Sequence, residues 1–438
     1  MLQMKAFIFG FILTPVYIWG ANWPQWRGPE GSGHAPTGIN YPTEWSAKKN
    51  IIWKTDLPGR GHSSPVHDGK YIWVTTAVET PASEEEKEKR LKENKGLPTV
   101  TVLSKVSLRA LKIDPSNGKI IKDIEVFEKK QPQWVHKLNS YASPSPFLED
   151  GKLYLHFGAY GNACIDSKSE KIIWKNDEKN LWVMHENGPG SSPILWKNNM
   201  IFHLDGSDRQ SIVALDKNTG KIAWQTKRSG EMRENPQLQK SYSTPIIEQF
   251  NGKSILISCA ADWVYGYNPE NGKELWKIKY GILGFSNVAR PIVGHGMIYL
   301  STCFSKAEIH AYQYEGLATP KLVWKMTKGA PKMPSPILIG NQLYVVNDGG
   351  ILSCVNAKTG ELEWRERLDG EFSASPTYAN ELIYLSDRAG KTTVIRPGKE
   401  LKIISENELN GSPHMASLAP IDNSFLIRTD HSLYKVGN

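Results

Sequence analysis

Side chains able to grip a ligand or move a proton lie scattered through this chain, not gathered into one motif. Arg60 and His62 stand close together, as do Asn139 and Tyr141, and His185 and Asn187. Asp205, Asp208 and Arg209 follow, then Tyr242, Asp262, Asn287, Arg290, Asp348 and Arg388. Carboxylates facing arginines can hold a polar ligand through paired hydrogen bonds. The same groups can instead satisfy one another and fasten neighbouring segments, and the residues favour that second arrangement. Signatures of covalent or metal catalysis are missing: there is no G-x-S-x-G elbow, no H-E-x-x-H and no phosphate loop. GPGSS (Gly188 to Ser192) is glycine-rich, but no helix follows it to complete a phosphate cradle. His185 and His203 fall on a loop and a strand, too far apart for a helical metal pair. No catalytic residue and no metal site are therefore expected. Cys164, Cys259, Cys303 and Cys354 contain no C-x-x-C, which argues against structural zinc. Cys259 and Cys303 hold matching places in neighbouring units. Buried free thiols are expected there, with a disulfide as the alternative in an oxidising compartment.

These residues must be positioned by a repeating element. Ser191 to Trp224 reads as four short β-rich runs with turns between them, one antiparallel meander. The unit recurs. Ser64-Pro65, Ser145-Pro146, Ser192-Pro193, Thr244-Pro245, Arg290-Pro291, Ser335-Pro336 and Ser375-Pro376 open units, and Ala416-Ser417-Leu418 opens a degenerate last one. The turn before the fourth run recurs as DPSNGK (Asp114 to Lys119), DKNTGK (Asp216 to Lys221), NPENGK (Asn268 to Lys273) and NAKTGE (Asn356 to Glu361). A tryptophan follows in the fourth run: Trp174, Trp224, Trp276, Trp324 and Trp364, with Trp53 in a matching N-terminal segment. From Pro193 onward the openers are 52, 46, 45, 40 and 42 residues apart. Four strands per unit at that period define a β-propeller.

The last unit ends at Tyr434-Lys435-Val436 after three strands, while NIIWKTDLPG (Asn50 to Gly59) reads as a fourth strand lacking its first three. The fold class is therefore all-β: an eight-bladed propeller of four-stranded antiparallel blades, closed by the N-terminal strand completing the last blade. A seven-bladed ring with a spare unit is the alternative. Residues 50–438 form this one domain. Joints between blades, and loops between second and third strands, open on one face at the mouth of the central channel, which is where the polar candidates above are placed. The tryptophans are expected to be structural, each indole lying against the next blade's turn, where a glycine permits close approach.

Residues 1–20 carry one lysine, an apolar run from Ala6 to Trp19 and small residues at Gly20-Ala21, the layout of a secretory signal. An uncleaved anchor is the alternative. Without a cysteine closing that run, the expectation is an exported, periplasmic protein that is not a lipoprotein, with no membrane span once the leader is removed. Residues 21–49 read as an irregular arm packed on the body by Trp23 and Trp26. Residues 81–98 are a charged insertion in the first blade, with Ser83 and Glu86 forming a capping box for a short exposed helix. The formal charge is +8, but the lysines are dispersed with no basic–aromatic cluster, so nucleic acid is not an expected partner. A protein or polymer partner on the loop-rich face and a monomeric state are expected. A glycan or small polar ligand held by Arg60, His62 and Arg290 is a third reading.

The turn-plus-tryptophan phrase ALDKNTGKIAW (Ala214 to Trp224) resembles the repeat of pyrroloquinoline quinone (PQQ)-type propellers, and the resemblance covers Asn50 to Val436. WPQWRGP (Trp23 to Pro29), PGRGHSSP (Pro58 to Pro65), NSYASPSP (Asn139 to Pro146) and TTVIRPGKE (Thr392 to Glu400) look like a group of exported bacterial PQQ-binding-like repeat proteins. More distantly the chain resembles PQQ-dependent dehydrogenases and the propeller subunit of the outer-membrane β-barrel assembly machinery. The resemblance implies an eight-bladed ring and says less about function. The dehydrogenases carry adjacent cysteines beside the quinone, and no two cysteines are adjacent here. Their Ca²⁺ ligands Glu and Asn and their catalytic Asp have no assignable counterparts. The expectation is a non-catalytic binding or scaffold module without a cofactor. The alternative is a PQQ- and Ca²⁺-dependent dehydrogenase of alcohols or sugars with a diverged site.

Overall fold

The computed structural model describes residues 22–93, 100–409 and 413–438. The leader and the Gly96-Leu97-Pro98 helix stop lie outside the described residues. Eight four-stranded antiparallel sheets form the propeller. In the third blade Ile194–Trp196, Asn199–Asp205, Gln210–Asp216 and Ile222–Lys227 pair in chain order. Its second and third strands are almost wholly buried, because neighbouring blades cover both their faces. The fourth alternates, with Trp224 buried and Ala223 and Gln225 exposed, as an outer strand should. The eighth blade takes Ala419–Ile421, Ser424–Arg428 and Ser432–Gly437 from the end of the chain. Ile51–Asp56 supplies its outermost strand, pairing Ile51 with Val436 and Asp56 with Ser432.

The serine–proline openers have a common job at the hub. The backbone N–H of Ser64 donates to Ser145 Oγ at 2.8 Å, Ser145 to Ser192 Oγ at 3.0 Å, and Ser192 to Thr244 Oγ1 at 3.0 Å. The ring resumes from Arg290 N to Ser335 Oγ (2.9 Å), Ser335 N to Ser375 Oγ (2.9 Å) and Ser375 N to Ser417 Oγ (3.0 Å). Each of these six hydroxyls thus satisfies a buried amide of the preceding blade, while the proline that usually follows has no N–H needing a partner.

At the rim the repeated tryptophans join blade to blade. The indole N–H groups of Trp53, Trp174, Trp324 and Trp364 donate to turn carbonyls of the next blade, at Pro115, Lys217, Ala357 and Gly398, over 2.9–3.0 Å. Gly118, Gly220, Gly272 and Gly360 lie under the indoles of Trp53, Trp174, Trp224 and Trp324 at φ of +70° to +74°, where a Cβ would come within 2.4–2.6 Å of the ring. Trp276 faces a blade without that turn and shares a core cluster with Tyr312 and Tyr314.

The first blade is longer than its sequence pattern indicates: its second strand runs Ile72–Pro81 and its third Leu103–Ile113. The insertion begins with a helix, Glu84–Glu93, whose Glu86 N–H donates to Ser83 Oγ at 3.2 Å. Arg90 ties this helix down through the carbonyls of Leu103 and Pro132, so it is not free in solvent. All four cysteines are buried and unpaired, including Cys259 and Cys303.

The irregular arm does more than pack on the body. Trp23 exchanges backbone hydrogen bonds with His67 in the first blade, and Pro24 accepts from Leu148 in the second. Arg27 donates to the carbonyls of Ser335 and Pro336 in the sixth, and Gly33 and Ala35 pair with Tyr378 in the seventh. Trp45 is anchored by Asn407 Oδ1 at 2.7 Å. Apart from Asn407, which is in the outermost strand of the seventh blade, these partners lie in or next to the innermost strands of the first, second, sixth and seventh blades. The arm therefore crosses the hub below the hydroxyl ring and closes the far end of the channel.

Candidate functional site: a closed cup on the loop-rich face

Joints and second-to-third-strand loops do share one face: Asp205 bridges Ser241, Ser241 bridges Asn287, and Asp262 N–H donates to Gly284. At the centre of this face is a cavity of about 820 Å³. Its wall includes the hydroxyl ring, the joints and the loop residue Phe304, and Trp26 of the arm enters it from below. Trp26 also donates its indole N–H to Ser417 Oγ at 3.2 Å. With the arm across the hub, the channel is a cup.

Of the sequence candidates, His62, Asn139, Asn187 and Tyr242 line the cup. His62 Nε2 lies 3.0 Å from Asp430 Oδ1, and Arg60 Nε lies 3.0 Å from Asp430 Oδ2. Burial pushes the Asp430 carboxyl up, but His62 and Arg60 outweigh it and hold it at about 2. Burial is the largest influence on His62 and lowers it, against the opposing hydrogen bond and charge of Asp430. Asn139 Nδ2 donates to the carbonyls of Asn187 and Pro189 at 2.8 and 3.0 Å, which fixes one joint against the next. Tyr242 donates to the His185 carbonyl at 2.5 Å.

The remaining candidates do not line the cup, and each has a physical reason. Arg60 is spent on Asp430 and the Lys137 carbonyl. Tyr141 is fully buried and donates to Gln133 O. His185 accepts from Ala159 N–H at 2.8 Å, and burial lowers its imidazole to about 3. Asp205 is locked to Arg228 by two bonds of 3.0 and 2.8 Å, both side chains wholly buried. Asp208 accepts from Met184 N–H, leaving Arg209 half exposed beside it. Asp262 takes both arms of Arg233, and Asn287 bridges Ala260 and Tyr280. Arg290 points to the arm, donating to Gly31 O, with burial lowering it to about 10. Asp348 accepts from Lys332 N–H, and Arg388 holds Ser373 and Glu371. Asp205 with Arg228, Asp262 with Arg233, Arg60 with Asp430 and Arg388 with Glu371 are thus paired with one another, whereas Arg290 and Asp348 are held by backbone groups alone.

Several cup residues are absent from the sequence-based set. Asp430, which holds the cup residue His62 from outside the lining, lies in the second-to-third-strand loop of the degenerate eighth blade, a loop that counting all eight units would have included. Lys240, Phe285 and Met333 come from joints with no repeated pattern, so only the structure places them. The lining contains no Asp or Glu. It therefore lacks the carboxylate that a Ca²⁺–quinone site needs, and His62, His136 and hydroxyls are poor substitutes for this hard cation.

A propeller closed by its own N-terminal strand, with a cup at its hub, defines a propeller binding module of the PQQ-repeat type. The family profile described as "Outer membrane protein assembly factor BamB" (PQQ_2) matches residues 175–303 and 305–397, and the chain belongs to that family. It is 22% identical over 317 residues to the Uncharacterized protein RP232 of Rickettsia prowazekii, covering 68% of this chain and 71% of that one. It is 20% identical over 282 residues to outer membrane protein assembly factor BamB of Shewanella oneidensis, covering 61% and 67%. The crystal structure of BamB from Moraxella catarrhalis shares the fold at a TM-score of 0.52 and 13% identity, over 78% of this chain and 95% of that one. A europium-containing methanol dehydrogenase does so at 0.53 and 10% identity, over 95% and 98%. No helix among the described residues is long and apolar enough to cross a membrane.

Proposed function

We propose that this chain is an exported, non-catalytic scaffold that holds a protein partner on its loop-rich face in the periplasm. The supporting observation is which side chains that face leaves free. Its charged pairs are closed on one another, whereas Leu138, Trp182, Ile282 and Phe304 remain exposed there, Ile282 at 71%. Large apolar groups exposed beside rigid polar fastenings suit a protein interface. The likeness to outer membrane assembly factors points to a partner in envelope assembly. The lack of a carboxylate in the cup favours this reading over a quinone dehydrogenase.

The test is photo-cross-linking in the native cell. A photoreactive residue at Trp182 or Phe304 should form a discrete adduct with an outer-membrane assembly component, and one at Leu362 on the rim should not. Equal labelling at both places overturns the proposal. So does dye reduction with alcohols or sugars once PQQ and Ca²⁺ are added to the purified chain.

A further inference from the structure

We propose that the cup is also a site for a small monoanionic ligand, an apolar body bearing one carboxylate, anchored by Lys240. Lys240 lines the cup and is only 2% exposed. Its Nζ donates to Gln237 Oε1 at 2.6 Å. An ammonium has three N–H donors, and no carboxylate among the described residues comes within ion-pair distance of this one. Glu186 is the acid whose field reaches it, but that side chain is buried and its Oε1 accepts from Ser207 Oγ at 2.9 Å. A buried, unpaired charge is costly, and a matching ion relieves that cost. Burial lowers the ammonium to about 8 against the pull of Glu186, which still leaves it mostly charged at neutral pH and in want of a counter-ion.

The rest of the wall sets the ligand's body. Trp26, Phe285, Phe304, Val288, Met333 and Met415 make it mainly apolar. About 820 Å³ lies within the range of small-molecule sites. Lys240 is the one Lys, Arg, Asp or Glu in the lining, so the matching charge is a single negative one. A quinone with several carboxylates would leave charge unpaired here. This inference goes beyond partner docking and does not need it: the ligand is titrated into the isolated chain, whereas docking stands or falls on cross-linking in cells.

The experiment is calorimetric titration of the purified full chain with 2-naphthylacetate, its neutral amide and acetate. The acid should bind at least about tenfold tighter than the amide, the worth of one charge-assisted hydrogen bond. Acetate, lacking the apolar body, should not register. In Lys240→Met the amide should still bind, which shows an intact cup, and the acid's advantage should fall below about twofold. Equal binding of acid and amide to the unmodified chain overturns the inference. So does an advantage that survives in Lys240→Met, or the absence of binding by both naphthyl probes.

Discussion

The rim and the loop-rich face join the same blades in opposite ways. At the rim one contact recurs: an indole over a glycine turn, with its N–H on the next blade's carbonyl. On the face no two joints are alike. Asp205 and Arg228 close one place, Asp262 and Arg233 another, Arg60 and His62 on Asp430 a third. Repetition suits a contact whose only duty is to stack blades. Individual pairs are needed where the surface must be rigid and yet different at every point around the ring.

The sharpest way to break this contrast is Asp205→Ala. It leaves Arg228 buried without its carboxylate and should cost about 3–5 kcal/mol, read by denaturant unfolding. A loss no greater than that of a rim substitution would mean the face pairs are ornaments. Next comes Gly220→Ala, which combines a φ of +72° with a contact 2.4 Å from Trp174 and should cost about 2 kcal/mol. Alanine at Gly340, also at positive φ but with open space around it, should cost less because only the backbone strain remains. Trp174→Phe removes an indole hydrogen bond and should lose about 1 kcal/mol more than Trp224→Phe, whose indole nitrogen has no partner.

The smallest effect is a pH slope. Asp430 is held at about 2, below the ordinary 3.8. A depressed carboxyl contributes stability that is full above the unfolded value and lost as pH falls toward the folded one. Stability should therefore decline between pH 3.8 and about 2, and Asp430→Asn should flatten that part of the curve. An unchanged slope would detach the Arg60–His62–Asp430 group from the fastenings.

The same contrast explains what could be read without coordinates. The openers, turns and tryptophans are local and recur, so they expose the blade count and the closing strand directly. The hub role of the serines was not legible, because a Ser-Pro pair shows only where a strand begins and not which amide its hydroxyl meets. The cup was legible in part. His62, Asn139, Asn187 and Tyr242 reach it, but Asp205 meets Arg228 across the end of a blade, a pairing that sequence distance does not reveal. Lys240 sits in a joint with no counterpart elsewhere, so no pattern singles it out.

The pairing of Ile51–Asp56 with Ser432–Gly437 has a kinetic consequence. It brings together segments from opposite ends of the sequence, so loop-closure entropy must be met before that contact rewards it. Seven blades can form as local meanders while the eighth waits with a bare edge. Completing the circle should be the slow last step of refolding, and a soluble peptide copying Ile51–Asp56 should compete for that vacancy only during that interval.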